Sequence, residues 1–457
     1  MFSKNTQILL IFNLLIVFAI FIISGSTSVL ISLISFYIIS FIFILRLSKG
    51  NNFQRKDLFT LYNVSFFFYI IFGFLAYLSY NQIDGFFIYS DQVEFYEMGN
   101  DLGSLSSISE IFKTCFIERI HYVNEGAIFL FGVLAYFANL FDGNSVLFQI
   151  LNVTYFGIII NLFVYKTLLF YTKRDQALKY SIYYSLFTYV ICFSPWILRD
   201  IHIAFFYVVA IYLIHLPFSI KRLIYLILLQ IIVFEFRLTH GAIFVFFPLI
   251  YFYRYSDKIR YKHIFKIFSF LLLIYFIFLN YSKIAATIDT VTEGYDRYSK
   301  YSVYVANSQG GLGAKLLTLP SGLKQFAVFV YSQISPFPPW DHLFKASTFL
   351  QVVFGILYLI APVFWGFITY VVAMNFKRYY KSFSSFQFYL LIFFIVFIIG
   401  NSSNLNLRRI ICVYPILYIL FVYIISRMPK TRIKLHIKNY SLIYLFLITI
   451  YTILKIA

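Results

Sequence analysis

The stretch from residue 7 to residue 46 decides the fold class of this chain. It reads QILLIFNLLIVFAIFIIS, then GSTS, then VLISLISFYIISFIFILR. Each apolar run is close in length to the roughly 20 residues that a helix needs to cross a hydrocarbon core about 30 Å thick. The first run lacks a small-residue cleavage site of the A-x-A kind, so we interpret it as a retained span rather than a signal peptide. The pattern predicts two membrane-spanning helices at the start of the chain.

The composition extends this prediction to the whole molecule. Of the 457 residues, 61% are hydrophobic and only 12% are charged, whereas a soluble domain carries about 25% charged residues. Soluble, fibrous and disordered classes are therefore excluded. Aromatic residues make up 23% of the chain, as expected where rings sit in hydrocarbon and at its interfaces. We predict an all-α, polytopic membrane helical bundle that forms one integral membrane domain over residues 1–457.

The net charge of +19 has a simple interpretation in such a protein. Basic loops are retained on the cytoplasmic side of a membrane, so a positive total does not indicate nucleic acid as a partner. The three cysteines, Cys115, Cys192 and Cys412, form no CxxC motif and no Cys/His spacing that suits zinc. The sequence therefore predicts no disulfide framework, no metal site and no cofactor.

Apolar runs of sufficient length predict about 13 spans. They fall near residues 7–24, 29–46, 58–80, 146–171, 181–197, 201–217, 223–236, 241–254, 264–281, 346–373, 384–400, 410–427 and 440–456. The basic loops fall on one side only if a further apolar stretch, Ala127–Phe141, does not cross. We therefore expect that stretch to be a re-entrant or half-depth helix, and we expect the C-terminus to lie outside.

Loop charges orient the predicted bundle. The cytoplasmic loops then hold most lysines and arginines and only three acidic residues, Asp57, Asp175 and Asp257. Two long segments fall on the outer side, residues 81–126 and residues 282–345. The first contains an amphipathic run suited to the membrane interface. The second carries Trp, Tyr and Phe, so we expect a structured lid, because long loops in compact proteins are usually functional or disordered.

Three short junctions between spans place charged groups at the outer side, where such groups are costly and are candidates for function. The first is Ser194–His202, with Arg199 and Asp200 after a proline. The second is Glu235–Gly241, where Arg237 supplies a fork of donors for phosphate and His240 a proton acceptor or donor. The third ends at Arg408-Arg409, of which Arg408 is expected to face the bundle. Interfacial anchoring or local ion pairs remain the simpler interpretation of each junction.

An acidic segment of the first outer loop faces these arginines. It reads SDQVEFYEMGND over residues 90–101. In a helix, Asp91 and Glu94 share a face at i, i+3 spacing. Such carboxylates suit deprotonation of a sugar hydroxyl or coordination of a divalent cation, and a solvated acidic loop is the third possibility. Together with the arginines, they describe an outward-facing cavity that suits a lipid-linked phosphate or diphosphate.

At these residues the chain resembles the Wzy/EpsG type of bacterial polysaccharide polymerase, over roughly residues 80–425. The motifs that carry the resemblance follow one another in the order Asp91–Tyr96, Asn124–Phe129, Leu198–Asp200, Arg237–Gly241 and Arg408-Arg409 before Tyr414-Pro415. The Asp91 loop is also similar to the first outer loop of GT-C glycosyltransferases. An early Asp-Asp or Asp-Glu pair, typical of that class, is missing, because Gln92 follows Asp91.

The resemblance implies a GT-C-like membrane glycosyltransferase in the bacterial cytoplasmic (inner) membrane, with its active site facing the periplasm or outside. Such an O-antigen or exopolysaccharide polymerase moves a growing glycan from undecaprenyl diphosphate to the non-reducing end of a fresh lipid-linked repeat unit. It also implies membrane lipid and a chain-length regulator protein as partners. Cations must neutralise the leaving diphosphate, and a base must deprotonate the acceptor hydroxyl.

The candidate site residues follow from this expectation. Arg199, Arg237 and Arg408 are assigned to the diphosphate, and Asp91 and His240 are alternative bases. Further substrate-binding positions are Glu94, Glu125, Arg409 and Trp340. Three other functions remain open at this point: a GT-C transferase with a polyprenyl-phosphate sugar donor, an O-antigen ligase, and a lipid-linked sugar transporter or flippase. A transporter should carry charges at mid-membrane, whereas the charges here cluster at span ends on one side.

Overall fold

The structure, a computed structural model, describes residues 4–80, 90–118, 125–256, 316, 319–320, 323–333, 338–344, 346, 348–400, 408 and 410–456. Its secondary structure is 86% helix, and the described ranges contain no strand. Within these ranges, six helices are long and apolar enough to cross a membrane. The predicted all-α fold class is confirmed, and the chain is a membrane-embedded helical protein.

The first part of the chain, up to residue 256, forms thirteen described helices. They are α1 Lys4–Ser24, α2 Thr27–Leu47, α3 Asn52–Tyr80, α4 Ser90–Gly103, α5 Ile108–Phe112, α6 Glu125–Asn139, α7 Val146–Leu168, α8 Arg174–Phe187, α9 Tyr189–Phe193, α10 Asp200–His215, α11 Ile220–Phe236, α12 Leu238–Phe244 and α13 Phe246–Ser256. A π-helical turn, Lys113–Glu118, continues α5. The predicted outer segment 81–126 therefore contains α4, α5 and this turn.

The second part of the chain forms six further helices within the described ranges. They are α14 Leu323–Ser332, α15 Asp341–Phe344, α16 Phe349–Tyr379, α17 Ser385–Gly400, α18 Tyr414–Ile425 and α19 Lys430–Ile456. A short 3-10 turn, Ile411–Val413, precedes α18. Most of the predicted outer segment 282–345 lies outside the described residues, as does the predicted span 264–281. The count of 13 spans therefore stays a prediction.

Three predicted spans are interrupted in the structure, and each contains a proline close to a helix boundary. The span 181–197 ends as α9 at Phe193, just before Pro195. The span 241–254 divides between α12 and α13, and Pro248 lies in the first turn of α13. The span 410–427 begins with the 3-10 turn, and Pro415 lies in the first turn of α18. Proline lacks an N–H and fits a first helical turn, which agrees with the positions of Pro248 and Pro415 at the starts of α13 and α18.

Helix α7 is the axis of the bundle, since 89% of its apolar window is buried inside the protein. Its buried polar side chains have hydrogen-bond partners: the Asn161 amide donates to the hydroxyls of Ser65 and Ser185 at 3.3 and 3.1 Å. Two helices lie at the periphery instead, because only 22% of the window of α1 and 17% of that of α19 is buried. Their exposed apolar faces fit contact with lipid chains.

Helices α4 and α6 run parallel to each other in close contact. A Cβ atom on Gly99 would lie 3.0 Å from the Cβ of Phe131, and one on Gly103 would lie 2.5 Å from the Cβ of Ala135. Glycines four residues apart present one smooth face, which lets two helix backbones approach closely. Helix α6 has 15 residues, fewer than the roughly 20 that cross a bilayer. Whether this helix stops at half depth stays a prediction.

The loop after α6 attaches the α4–α6 pair to the turn between α1 and α2. Both carboxylate oxygens of Asp142 accept hydrogen bonds from the start of α2, at 2.7 Å from the Thr27 amide and 2.8 Å from the Ser28 amide. A carboxylate at a helix N-terminus satisfies amides that have no partner within the helix. The C-terminal ends of α4 and α6 therefore lie on the side of the α1–α2 turn, which the charge pattern assigns to the outside.

Candidate functional site

Three junctions between helices meet at one place inside the bundle. They are the turn between α9 and α10, the turn between α11 and α12, and the segment from Arg408 to Val413 ahead of α18. Helices α10, α11 and α18 have 16, 17 and 12 residues, all fewer than the roughly 20 of a full span. Such breaks are tolerated at membrane depth only where protein or a water-filled cavity surrounds them.

The turn between α9 and α10 lies well inside the N-terminal end of α7. The Thr154 hydroxyl donates to the carbonyl oxygen of Ser194 at 3.2 Å. Thr154 follows the first residue of α7 by eight positions, or about 12 Å along the helix. Gly157 allows the approach, because a Cβ atom there would lie 2.1 Å from the Ser194 hydroxyl oxygen. Arg199 and Asp200 are therefore held in a recess of the bundle.

A tight hairpin presents Arg237 at the same level. Arg237 has an extended backbone (φ −161°, ψ 114°) between α11 and α12. The two helices fold against each other at Gly241, where a Cβ atom would lie 2.3 Å from the Cα of Phe234. Only glycine fits this contact. The hairpin turns the Arg237 side chain toward the start of α10.

Four charged side chains of alternating sign form a continuous chain at this point, which we call the charge network: Asp91, Arg408, Asp200 and Arg237. Arg237 Nη1 lies 2.9 Å from Asp200 Oδ1, and Arg408 Nε lies 3.9 Å from Asp200 Oδ2. Arg408 also donates through Nη2 to Asp91 Oδ2. The network joins α4, the start of α10, the α11–α12 hairpin and the segment before α18.

Burial makes this network energetically important. The side chains of Asp200, Arg408 and Arg237 expose only 3%, 8% and 10% of their surface, whereas that of Asp91 exposes 41%. Charges that leave water need partners, and removing one partner of a buried pair costs about 3–5 kcal/mol. The paired side chains are also held in one orientation, because each carboxylate restricts the arginine beside it. Asp91 is the most exposed of the four.

The first turns of α4 cover the recess. The Gln92 side-chain oxygen accepts a hydrogen bond from the Ile197 amide at 3.0 Å. The Arg199 guanidinium lies 5.7 Å from the centre of the Phe95 ring, and its Nη1 donates to the carbonyl oxygen of Phe236 at 3.2 Å. Arg199 is thus held beside the hairpin that carries Arg237. The predicted residues Asp91, Arg199, Arg237 and Arg408 are brought together.

His240 lies under the hairpin, deeper than the charge network. The residue is 2% exposed, and its Nδ1 lies 3.8 Å from the Cys412 sulfur. Its carbonyl oxygen accepts a hydrogen bond from the Tyr207 hydroxyl at 3.0 Å. The ring of Phe397 packs against it with centroids 5.3 Å apart. These surroundings are mostly aromatic, so His240 is enclosed, whereas Asp91 reaches the surface.

The four predicted substrate-binding residues have different positions. Glu94 is exposed on α4, one turn after Asp91, and Glu125 is buried at the start of α6. The next residue of α6, Gly126, is in close contact with Glu235 and Phe236 at the end of α11, so Glu125 borders the site. Trp340 lies just before α15, which packs on α16. Arg409 lies outside the described residues.

Two contributors to the site were missed by the sequence reasoning. Asp200 was considered only as a local partner of Arg199, but it lies between Arg237 and Arg408. Its position at the start of an apolar span was the available signal, because a carboxylate at membrane depth needs a cation. Gln92 carried no signal, since its role depends on a backbone amide of the distant residue Ile197.

Within the described ranges, no three His, Cys, Asp or Glu side chains are grouped closely enough to hold a metal ion. Comparisons with protein-family models, with curated proteins and with solved structures return no match. The candidate site is a recessed set of three arginines and two carboxylates, covered by α4 and partly exposed at Asp91.

Proposed function

We propose that this chain is a membrane glycosyltransferase that polymerises lipid-linked oligosaccharides. In the proposed reaction, the growing glycan moves from undecaprenyl diphosphate to the non-reducing end of a new lipid-linked repeat unit. The site faces the outer side of the bacterial inner membrane, where nucleotide sugars are absent. The fold is then GT-C-like, and the leaving group is a lipid diphosphate.

The observation that carries the proposal is the charge network, with Arg237 and Arg408 held by Asp200. Breaking the bond between the anomeric carbon and the diphosphate oxygen develops negative charge on the leaving group. Arginines that are oriented in advance stabilise such charge without reorganisation, and their forked donors match phosphate oxygens. Arg199 lies beside the hairpin and supplies a third cation. A lysine at these positions would supply charge without the fork.

The acceptor hydroxyl must lose a proton as it attacks the anomeric carbon. Asp91 and His240 are the two candidate bases. Asp91 exposes 41% of its side chain, whereas His240 is enclosed among Cys412 and aromatic rings. A base must come within hydrogen-bond reach of its proton. Exposure therefore favours Asp91 as the base, and the proton moves from the acceptor hydroxyl to the Asp91 carboxylate.

The second candidate function is a GT-C transferase that takes one sugar from a polyprenyl monophosphate. The position of Asp91 supports it, since this residue lies in the first turn of α4, within the first outer segment. Both functions use a phosphate leaving group and a carboxylate base. They differ in donor and in product: a polymerase yields a ladder of repeat units, and the rival yields a single addition.

The test uses the purified full-length chain in detergent with undecaprenyl-diphosphate repeat units. The variants are Arg237→Gln and, as a matched control, Arg222→Gln, which removes the same charge near the opposite end of α11. We expect the wild type and Arg222→Gln to form ladders in EDTA. We expect Arg237→Gln to lose activity by about 10²-fold, a loss typical of removing one donor to developing charge.

Four results would contradict the proposal. Equal activity of Arg237→Gln and the wild type would remove the role of the charge network. Single-sugar transfer from a polyprenyl monophosphate, without ladders, would favour the GT-C transferase. Transfer of the glycan to a lipid A core acceptor would favour a ligase, and binding of lipid-linked units without any transfer would favour a transporter.

A further inference from the structure

Asp91 is the most exposed member of the charge network, and its carboxylate contacts Arg408. Asp91 accepts a hydrogen bond from Arg408 Nη2, while the Arg408 side chain is 8% exposed and that of Asp91 is 41% exposed. On its inner side, Arg408 faces the buried carboxylate of Asp200 at 3.9 Å. The accessible side of the Arg408 guanidinium is therefore covered by the Asp91 carboxylate.

The charge balance shows what this contact does to an incoming anion. Two carboxylates and two arginines make the network neutral as a whole. A diphosphate carries several negative charges and requires unpaired cations in a site of low dielectric. If Asp91 leaves Arg408, the other three side chains carry a net positive charge, and Arg199 beside them adds to it. Displacement of Asp91 therefore strengthens the attraction of the site for a diphosphate.

We propose that the Asp91 carboxylate occupies the position on Arg408 where a substrate phosphate group binds. A substrate diphosphate then displaces the carboxylate from Arg408 on binding. This inference rests on the proposed function and names an Arg408-centred phosphate subsite within it. Phosphate oxygens then take over the hydrogen bond from Nη2. The freed carboxylate no longer shares its oxygen with an arginine, which makes it a better proton acceptor for the acceptor hydroxyl.

The displacement requires only a side-chain rotation. The backbone of α4 is held independently of Asp91, because Gln92 accepts from the Ile197 amide and because Gly99 and Gly103 are in contact with α6. Asp91 is already partly in solvent, so water can hydrate its carboxylate after it leaves Arg408. The Asp91 side chain can adopt another staggered rotamer. The helix can therefore stay in place while the subsite opens.

The experiment measures binding of inorganic pyrophosphate and of farnesyl diphosphate to the full-length chain in lipid nanodiscs, by isothermal titration calorimetry. The variants are Asp91→Asn, Asp91→Asn with Arg408→Gln, and the control Glu97→Gln, an exposed acid on the same helix. We expect Asp91→Asn to bind both probes about tenfold more tightly than the wild type, because a competing carboxylate is removed. Glu97→Gln should leave binding unchanged, and the added Arg408→Gln should abolish the gain.

The outcomes separate this inference from the proposed function. Weaker or unchanged binding by Asp91→Asn overturns the inference, as does an equal gain by Glu97→Gln, which would indicate a general charge effect. A specific gain in a chain without transferase activity supports the phosphate subsite and overturns the polymerase. Tighter binding of farnesyl diphosphate than of pyrophosphate identifies a lipid-linked ligand, and the reverse order identifies a free anion. Thermal unfolding of each variant in the same nanodiscs shows that it is folded.

Discussion

Arg237 and Asp200 are 37 residues apart in the sequence, but Arg237 Nη1 donates to Asp200 Oδ1 at 2.9 Å inside the bundle. The pair holds the α11–α12 hairpin against the first turn of α10. Both α10 and α11 are shorter than a full membrane span. The second carboxylate oxygen of Asp200 lies 3.9 Å from Nε of Arg408. One buried carboxylate thereby orients two arginines that come from different parts of the chain.

A double-mutant cycle on this pair should show strong coupling. Asp200→Asn and Arg237→Gln each remove an ion-pair partner from a buried charge, so each is expected to lower the free energy of unfolding by about 3–5 kcal/mol. The double variant should lose clearly less than the sum of the two. Unfolding in detergent, followed by circular dichroism, measures all four proteins. Strictly additive losses would mean that the two side chains do not stabilise each other.

The hairpin itself should depend on Gly241. In Gly241→Ala, the new methyl group would lie 2.3 Å from the Cα of Phe234, so the two helices must separate and Arg237 must move. We expect a loss of stability of about 1–3 kcal/mol from overpacking, together with lower activity. The control is Gly73→Ala, whose methyl group would meet the Thr154 hydroxyl at 3.1 Å. Equal melting temperatures for the two variants would contradict this account of the hairpin.

Acid should weaken the attachment of the α6–α7 loop to α2. Burial alone raises the pKa of the Asp142 carboxyl, but hydrogen bonds from Ser28, Ser26 and Thr27 outweigh it and lower the pKa to about 2. A carboxyl whose pKa is depressed in the folded state stabilises that state fully above its unfolded pKa of about 3.9, and loses this contribution as the pH falls toward 2. The wild type should therefore unfold at a higher temperature than Asp142→Asn at pH 7.

The same difference in unfolding temperature should shrink steadily between pH 4 and pH 2, where the wild-type carboxyl becomes protonated. The control is Asp175→Asn, because the Asp175 side chain is 92% exposed and lies in the first turn of α8. This control should change the unfolding temperature little at either pH. A difference between the wild type and Asp142→Asn that persists unchanged at pH 2 would show that the carboxylate charge is not what holds the loop.

Helix α1 should be attached to the bundle through a polar contact. The Asn13 amide is fully buried and donates to the carbonyl oxygen and the side-chain oxygen of Asn63 at 3.1 and 3.0 Å. Asn13→Val is expected to cost about 0.6–1.7 kcal/mol, the range measured for hydrogen bonds between membrane helices. Leu15→Val, on the exposed face of α1, should cost less. Limited proteolysis of the α1–α2 turn and thermal unfolding measure the difference, and equal effects would contradict it.

Much of the site was predictable, because its charged residues stand out against an apolar background. Arg199, Arg237 and Arg408 each follow or precede a span directly, and charged groups in such places need partners. Their convergence was predictable only as a hypothesis. The interruption of three spans beside Pro195, Pro248 and Pro415 had a local signal, but apolar length alone favoured continuous helices. The local signal for Asp200 was its charge at the start of an apolar span, which does not say which arginine it meets.

The amino-acid sequence by itself determined that this chain lies in a membrane and is helical, because the apolar runs leave the backbone no other way to satisfy its hydrogen bonds in hydrocarbon. It also determined which residues carry charge at the ends of the spans. Only the tertiary structure decided which charge meets which. The partners Asp91 and Arg408 lie 317 residues apart, and no periodicity or spacing encodes such a pairing. The pairing follows from how short helices pack around α7, because a buried charge is stable only beside a charge of opposite sign.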